Sequence, residues 1–251
     1  MKPLAFAAAL ALLAPLALGA QAEPTRVMVR ARSLDAKFIG TAMGGVQVTL
    51  TDARTGAVLA KGLTQGGTGD TDAIMRTPHA RGAPLADAKT AGYEAVIDIA
   101  RPTLVRAEAL GPAGKPASAI TVSSSLWVLP GRDVSGDGWT LTFPGLVIEP
   151  VATPAEDGTL KVAAKVTLMC GCPIEPGGLW DAANYAVEAS LLAGDRVVAQ
   201  APLAYAGQAS QFAGALPKTA PGRYTLRLVA TDAKTPNAGV VEQAVEIPAA
   251  R

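Results

Sequence analysis

The sequence predicts an all-β protein: two consecutive β-sandwich domains after a cleaved signal peptide. Three observations carry this expectation. Apolar residues recur with a period of two over strand-length runs wherever a pattern exists. Clusters of Gly, Pro, Asn and Asp separate those runs. No helix-period run is long enough to compete, and only residues 179–185 suit one short helical turn.

The first 22 residues carry Lys2, an Ala- and Leu-rich apolar run, and Ala20-Gln21-Ala22 at the end. One early cation, a short apolar run and small residues before a boundary are the parts of a secretory signal peptide, too short to anchor in a bilayer. The mature chain is expected to begin near Glu23, in the periplasm or, alternatively, the extracellular medium. Lys and Arg total 22, and without Lys2 the remaining 21 equal the 21 Asp and Glu. That balance leaves no field to steer nucleic acid or anionic lipid, so neither nucleic-acid binding nor membrane insertion after signal cleavage is expected.

The first domain is expected over residues 23–150, with strands at 26–32, 45–50, 93–99, 104–109, 120–128 and 139–143. Arg26, Arg30 and Arg32 alternate with Val27, Val29 and Ala31, which predicts arginines on the solvent face of the first strand. Turn clusters stand at 52–56, 66–72 and 131–138. Residues 149–158 combine Pro150, Pro154, three acids and Gly158, so a linker is expected over 151–158. The second domain, 159–251, shows strand patterns at 160–170, 185–192, 196–201, 223–230 and 240–247.

Gly45-Val-Gln-Val-Thr-Leu-Thr-Asp52, with Thr55 to Ala60 and Gly62-Leu63-Thr64, resembles the strand-turn-strand opening of transthyretin-like and carboxypeptidase-regulatory-like sandwich domains. Pro221-Gly-Arg-Tyr-Thr-Leu-Arg-Leu-Val-Ala-Thr-Asp232, followed by Pro236-Asn-Ala-Gly239, is similar to the last hairpin of bacterial immunoglobulin-like domains. The second resemblance implies that Tyr224, beginning the penultimate strand, hydrogen-bonds back to the chain. Neither resemblance implies an activity.

A single histidine, His79, prunes the enzyme classes. Transthyretin-type folds include a ring-opening hydrolase and intradiol dioxygenases, which resemblance would associate with several histidines or paired His and Tyr ligands that this chain lacks. Two cysteines cannot supply an ordinary iron-sulfur cluster, and no Cys-x-x-Cys-His or Gly-x-Ser-x-Gly is present. A non-enzymatic protein is expected. His79, between Pro78 and Gly82, reads as a loop residue or as a metal ligand reaching another segment. Asp133, Ser135 and Asp137 have the 1, 3, 5 spacing of a calcium loop with Gly138 at position 6, but Pro144 stands where the bidentate glutamate belongs, which favours a plain turn. Asp70 and Asp72 offer oxygens in a second glycine-rich turn.

The candidate site is Met169-Cys170-Gly171-Cys172. In an extended chain both cysteines share a face and continue the apolar row of Val162, Ala164, Val166 and Leu168. Three readings follow. The cysteines are small core side chains; or an oxidising compartment joins them in a disulfide, for which the chain must bend at Gly171; or they hold a soft ion such as Cu(I). Met169 is a candidate ligand that adjoins them but points away in a regular strand; His79, Met43 and Met75 are further candidate ligands if the domains pack suitably, and zinc would need His79 and Asp181. The irregular segment that follows carries Glu175, Trp180 and Asp181 and is the expected binding loop. The functional expectation is an exported binding or accessory protein for a metal ion, copper foremost, or for a periplasmic partner protein. A thiol/disulfide redox accessory and a structural or adhesive module with inert cysteines are the alternatives.

Overall fold

A computed structural model describes residues 21–249, so residues 1–20 of the expected signal peptide lie outside the described residues. The described chain is nearly all β. Its first strands are β1 (Glu23–Ser33), β2 (Gln47–Asp52), β3 (Val58–Leu63), β4 (Tyr93–Ile99), β5 (Thr103–Gly111), β6 (Ile120–Val128) and β7 (Val134–Phe143). There follow β8 (Leu146–Pro154), β9 (Leu160–Leu168), β10 (Tyr185–Ala193), β11 (Arg196–Tyr205), β12 (Gln211–Leu216), β13 (Gly222–Asp232) and β14 (Ala238–Ile247).

Three sheets result, ordered β4-β1-β7, β3-β2-β5-β6 and β14-β13-β10-β11-β12-β9-β8. In the first, β1 runs antiparallel to β4 and parallel to β7. Alternation then decides the core: Val27, Val29 and Ala31 of β1 and Leu141 of β7 share one apolar cluster with Val48 and Leu50 of β2 and Val105 and Ala107 of β5. Tyr93 clasps the two small sheets together. Its ring lies so close over Gly62 that a side chain there would meet it at 2.0 Å, and its hydroxyl donates to the Lys61 carbonyl at 2.8 Å.

The long sheet encloses a second cluster, made by Leu160, Val162, Ala164, Val166 and Leu168 of β9, Val187 and Leu191 of β10, and Leu226 and Leu228 of β13. It bends at β11, which pairs with β10 over most of its length and with β12 only at Ala204 and Tyr205. The Tyr224 hydroxyl donates to the Ala220 carbonyl at 2.9 Å, the return bond implied for the penultimate strand.

Several expectations are corrected. Residues 149–154 belong to β8 and pair with β9 (Glu149 with Lys165, Pro150 with Ala164), so of the expected linker only the turn at 155–158 remains irregular. The prolines fit because β8 is an edge strand, where a missing N–H breaks no ladder. Residues from Val134 onward are strand, although 131–138 read as a turn. β9 stops at Leu168, two residues short of the expected end. Arg30 is buried at 6% exposure instead of facing solvent. The connection between β3 and β4 covers it: its guanidinium donates to the carbonyls of Thr90 and of Ala91, the latter at 3.0 Å. Burial lowers its pKa, against the raising influence of the Asp137 and Asp87 carboxylates. Asp137 holds the same covering segment by accepting the N–H groups of Leu85 at 3.0 Å and Ala86 at 2.8 Å.

The two cores are tied through the tight turn after β1. There Ser33 N–H donates to the Lys37 carbonyl at 2.9 Å, and Ala36 is fully buried in the second cluster. Trp180 Nε1 donates to the Asp35 carbonyl at 2.9 Å. Asn237 Nδ2 donates to the Leu34 carbonyl at 3.1 Å while its Oδ1 accepts the Gly145 N–H at 2.9 Å. Asn237 is 1% exposed, so Asn237→Ala would leave buried polar groups unpaired. A loss of about 2–3 kcal/mol of stability is expected by urea denaturation.

Candidate functional site

The cysteines sit where β9 ends against the N-terminal half. The chain reverses there: Gly171 N–H donates to the Leu168 carbonyl at 2.8 Å and Leu168 N–H to the Cys172 carbonyl at 3.3 Å. Gly171 has φ +77°, in the left-handed region that favours glycine. A straight strand would separate residues two apart by about 6.5–7 Å. The bend brings the cysteine Cα atoms to 5.4 Å, and Cys170 and Cys172 are joined as a disulfide. The sulfurs are therefore neighbours because of the turn, not because the strand's alternation continues to Cys172.

Backbone bonds hold this turn independently of the sulfurs. Ile174 N–H donates to Ser210 Oγ at 3.0 Å, and Ser210 N–H to the Ile174 carbonyl at 2.7 Å. Beyond it the chain makes a closed loop, with Glu175 N–H donating to the Trp180 carbonyl at 3.0 Å and Ala182 N–H to the Glu175 carbonyl at 3.2 Å. Asp181 ends the loop and opens a short 3-10 turn, Ala182–Asn184, where its carboxylate accepts the Ala183 N–H at 3.1 Å.

Between this loop and the N-terminal half lies an open cleft of about 590 Å³. One wall is Cys170 to Pro173, Glu175 and Trp180; the other is Lys37, Thr68, Thr71 and Arg76. Lys37 Nζ donates to Thr71 Oγ1 at 2.9 Å, which orders the second wall. Arg76 pairs with Asp72 at 2.6 Å, but both side chains are well exposed and the pair is screened. The cleft thus joins a disulfide, an indole, two cations and one carboxylate.

Of the expected site residues, the cleft brings together Cys170, Cys172, Glu175 and Trp180. Trp180 is 7% exposed and belongs to the second core, so it forms wall and plug at once. Asp181 does not line the cleft. Met169 is buried in the first core with its methyl against Gly145, while the cysteines belong to the second. Met43 packs on Gly171, its Sδ 2.8 Å from where a Cβ would stand, and Met75 packs on the second core. His79 is exposed and lies outside the cleft, with Nδ1 3.3 Å from its neighbour Thr77's carbonyl. Asp133 accepts the Arg26 N–H at 2.8 Å, Asp137 serves Leu85 and Ala86, and Ser135 is exposed; the calcium-like spacing is thus divided between two structural tasks. Asp70 accepts the Ala73 N–H at 2.7 Å. Among the described residues no group of three or more His, Cys, Asp or Glu is placed to hold a metal ion.

Lys37, Thr68, Thr71 and Arg76 were not singled out by the sequence. They come from two separate connections, and no local spacing links them to the cysteines. No family model and no curated protein matches the chain.

Two outcomes follow from this geometry. A disulfide spanning two residues closes little chain, so Cys170→Ala/Cys172→Ala should lower stability by only about 1.5 kcal/mol on a loop-closure basis, measured by urea denaturation. The N–H groups of Ala183, first, and Gly177 hold the Asp181 carboxylate below its ordinary pKa. Its folded value being depressed, its ionised form stabilises above the unfolded value of about 3.9 and that contribution disappears as pH falls through the lower folded value. The Tm difference between wild type and Asp181→Asn should accordingly be largest near neutrality and close as the solution is acidified.

Proposed function

We propose that this is an exported, non-enzymatic accessory protein of two β-sandwich domains that binds its ligand in the cleft where they meet. The separate cores support the two-domain reading; β8 gives Leu146 and Ile148 to the second core and Val147 to the first, so the join falls at this strand, ahead of the expected boundary at 150. The β2–β3 hairpin, whose Asp52 carboxylate accepts the N–H groups of Arg54 at 2.8 Å and Thr55 at 3.1 Å, supports a transthyretin-like first domain. The Tyr224 bond supports an immunoglobulin-like second domain. The disulfide supports export, because such bonds persist in oxidising compartments such as the periplasm.

One observation carries the binding reading: a cleft walled by both halves, rigidly joined beside it by the Trp180 to Asp35 bond. Ligand sites favour such junctions, where apolar surface and a few polar groups converge. A thermal-shift screen of small anions, thiols and peptides should give ligands that raise the Tm of wild type. Thr71→Trp fills the cleft and should abolish those shifts; equal shifts in the variant would remove the cleft as the site.

A second reading, capture of Cu(I), is favoured by the Met43 thioether at Gly171. The fit is partial. Reduction would free two thiolates, soft donors suited to Cu(I), whereas His79 and Met169 lie elsewhere. Reduced wild type should retain Cu(I) through gel filtration under anaerobic conditions, and Cys170→Ala/Cys172→Ala should not; equal retention would end this reading.

A further inference from the structure

We infer that the cleft takes anionic thiols and captures them covalently by exchange with the Cys170–Cys172 disulfide. The inference rests on the cleft being the binding site and adds the ligand class and the chemistry.

Position is the first support. Cys170 and Cys172 are 3% and 4% exposed, belong to the second core, and line the cleft. Their place in its wall makes the cleft the route by which a reagent would reach the sulfurs. Redundancy is the second. The turn keeps its own backbone bonds at Leu168, Gly171, Ile174 and Ser210, and the bridge encloses one residue, so opening it dismantles nothing else. Charge is the third. Lys37 and Arg76 line the cleft with Glu175; Arg76 is paired with Asp72 at 2.6 Å in an exposed, screened pair, and Lys37 makes no ion pair among the described residues. Cations raise the local concentration of an anionic thiol and stabilise the thiolate that departs.

The exchange balances without an outside oxidant. A ligand thiolate attacks one cysteine sulfur, a new S–S bond to the ligand forms, and the Cys170–Cys172 bond breaks. Its electron pair leaves on the other cysteine as a thiolate. One disulfide is lost and one gained. Return of that thiolate onto the mixed disulfide releases the ligand thiolate and restores the bridge.

The test uses the native oxidised protein with reduced glutathione, an anion, or cysteamine, a cation. Samples are quenched with an alkylating agent and read by intact mass. Glutathione should open the bridge in the absence of denaturant, at a rate first-order in thiol and several-fold faster than cysteamine. Lys37→Ala/Arg76→Ala should remove most of that preference. Because ring reclosure shortens the life of the mixed adduct, Cys170→Ala supplies an independent measurement: its remaining thiol should react with oxidised glutathione faster than it does in Cys170→Ala/Lys37→Ala/Arg76→Ala. Opening only under denaturing conditions, or equal rates for the two probes, would overturn the proposal. S-methylglutathione separates this inference from the one beneath it. If that thioether shifts the Tm of wild type but not of Thr71→Trp while exchange is absent, the cleft stands and covalent capture falls. If exchange runs equally fast in Thr71→Trp, the chemistry does not belong to the cleft.

Discussion

The tight turn after β1 is the constraint on which the rest of this molecule depends. It belongs by sequence to the N-terminal half, yet Ala36 is packed in the second core and the carbonyls of Leu34 and Asp35 accept from Asn237 and Trp180. Each of those bonds contributes about 1 kcal/mol in net terms, but together with a buried side chain they define one relative placement of the halves. Lys37, the next residue, is thereby held on a cleft wall facing a loop far away in sequence. Without the clasp the same residues would be two unrelated loops.

Much of the fold was legible in the residues because one face of each strand is apolar. β1, β4, β5, β9, β10, β13 and β14 all declare themselves by alternation. β8 did not, since Pro150 and Pro154 read as punctuation, and only its place at a sheet edge makes them harmless. β12, Gln-Phe-Ala-Gly-Ala-Leu, is built mostly of small residues; Gly214 is needed where the Pro202 carbonyl comes within 2.8 Å of its missing side chain. Arg30 shows the limit of the alternation rule, which assigns a face but cannot see a long connection folding over it.

The site was half legible for a related reason. The cysteine pair, Glu175 and Trp180 are adjacent in sequence and could be read together; the opposite wall arises from long-range packing. Even the correct proximity of the sulfurs has a different cause from the one that periodicity supplies. Gly171 turns the chain, and the turn, not the strand, sets their spacing. Likewise Asp133 and Asp137 have the spacing of ligands but spend their oxygens on the backbone of β1 and of the connection before β4. Spacing identifies residues that could act together, and only packing decides whether they do.

The parallel pairing of β1 with β7 bears on how the chain is made. Among the described residues β1 comes first in the chain, and its Ser33 must wait for Phe143 before that ladder is complete. Its turn waits longer still, since Leu34 meets Asn237 across 203 residues. Closing such distant contacts is slow, and an apolar strand left without partners invites association with other chains. The β13–β14 hairpin, which carries Asn237 between its strands, must therefore be in place before the turn after β1 is fully bonded.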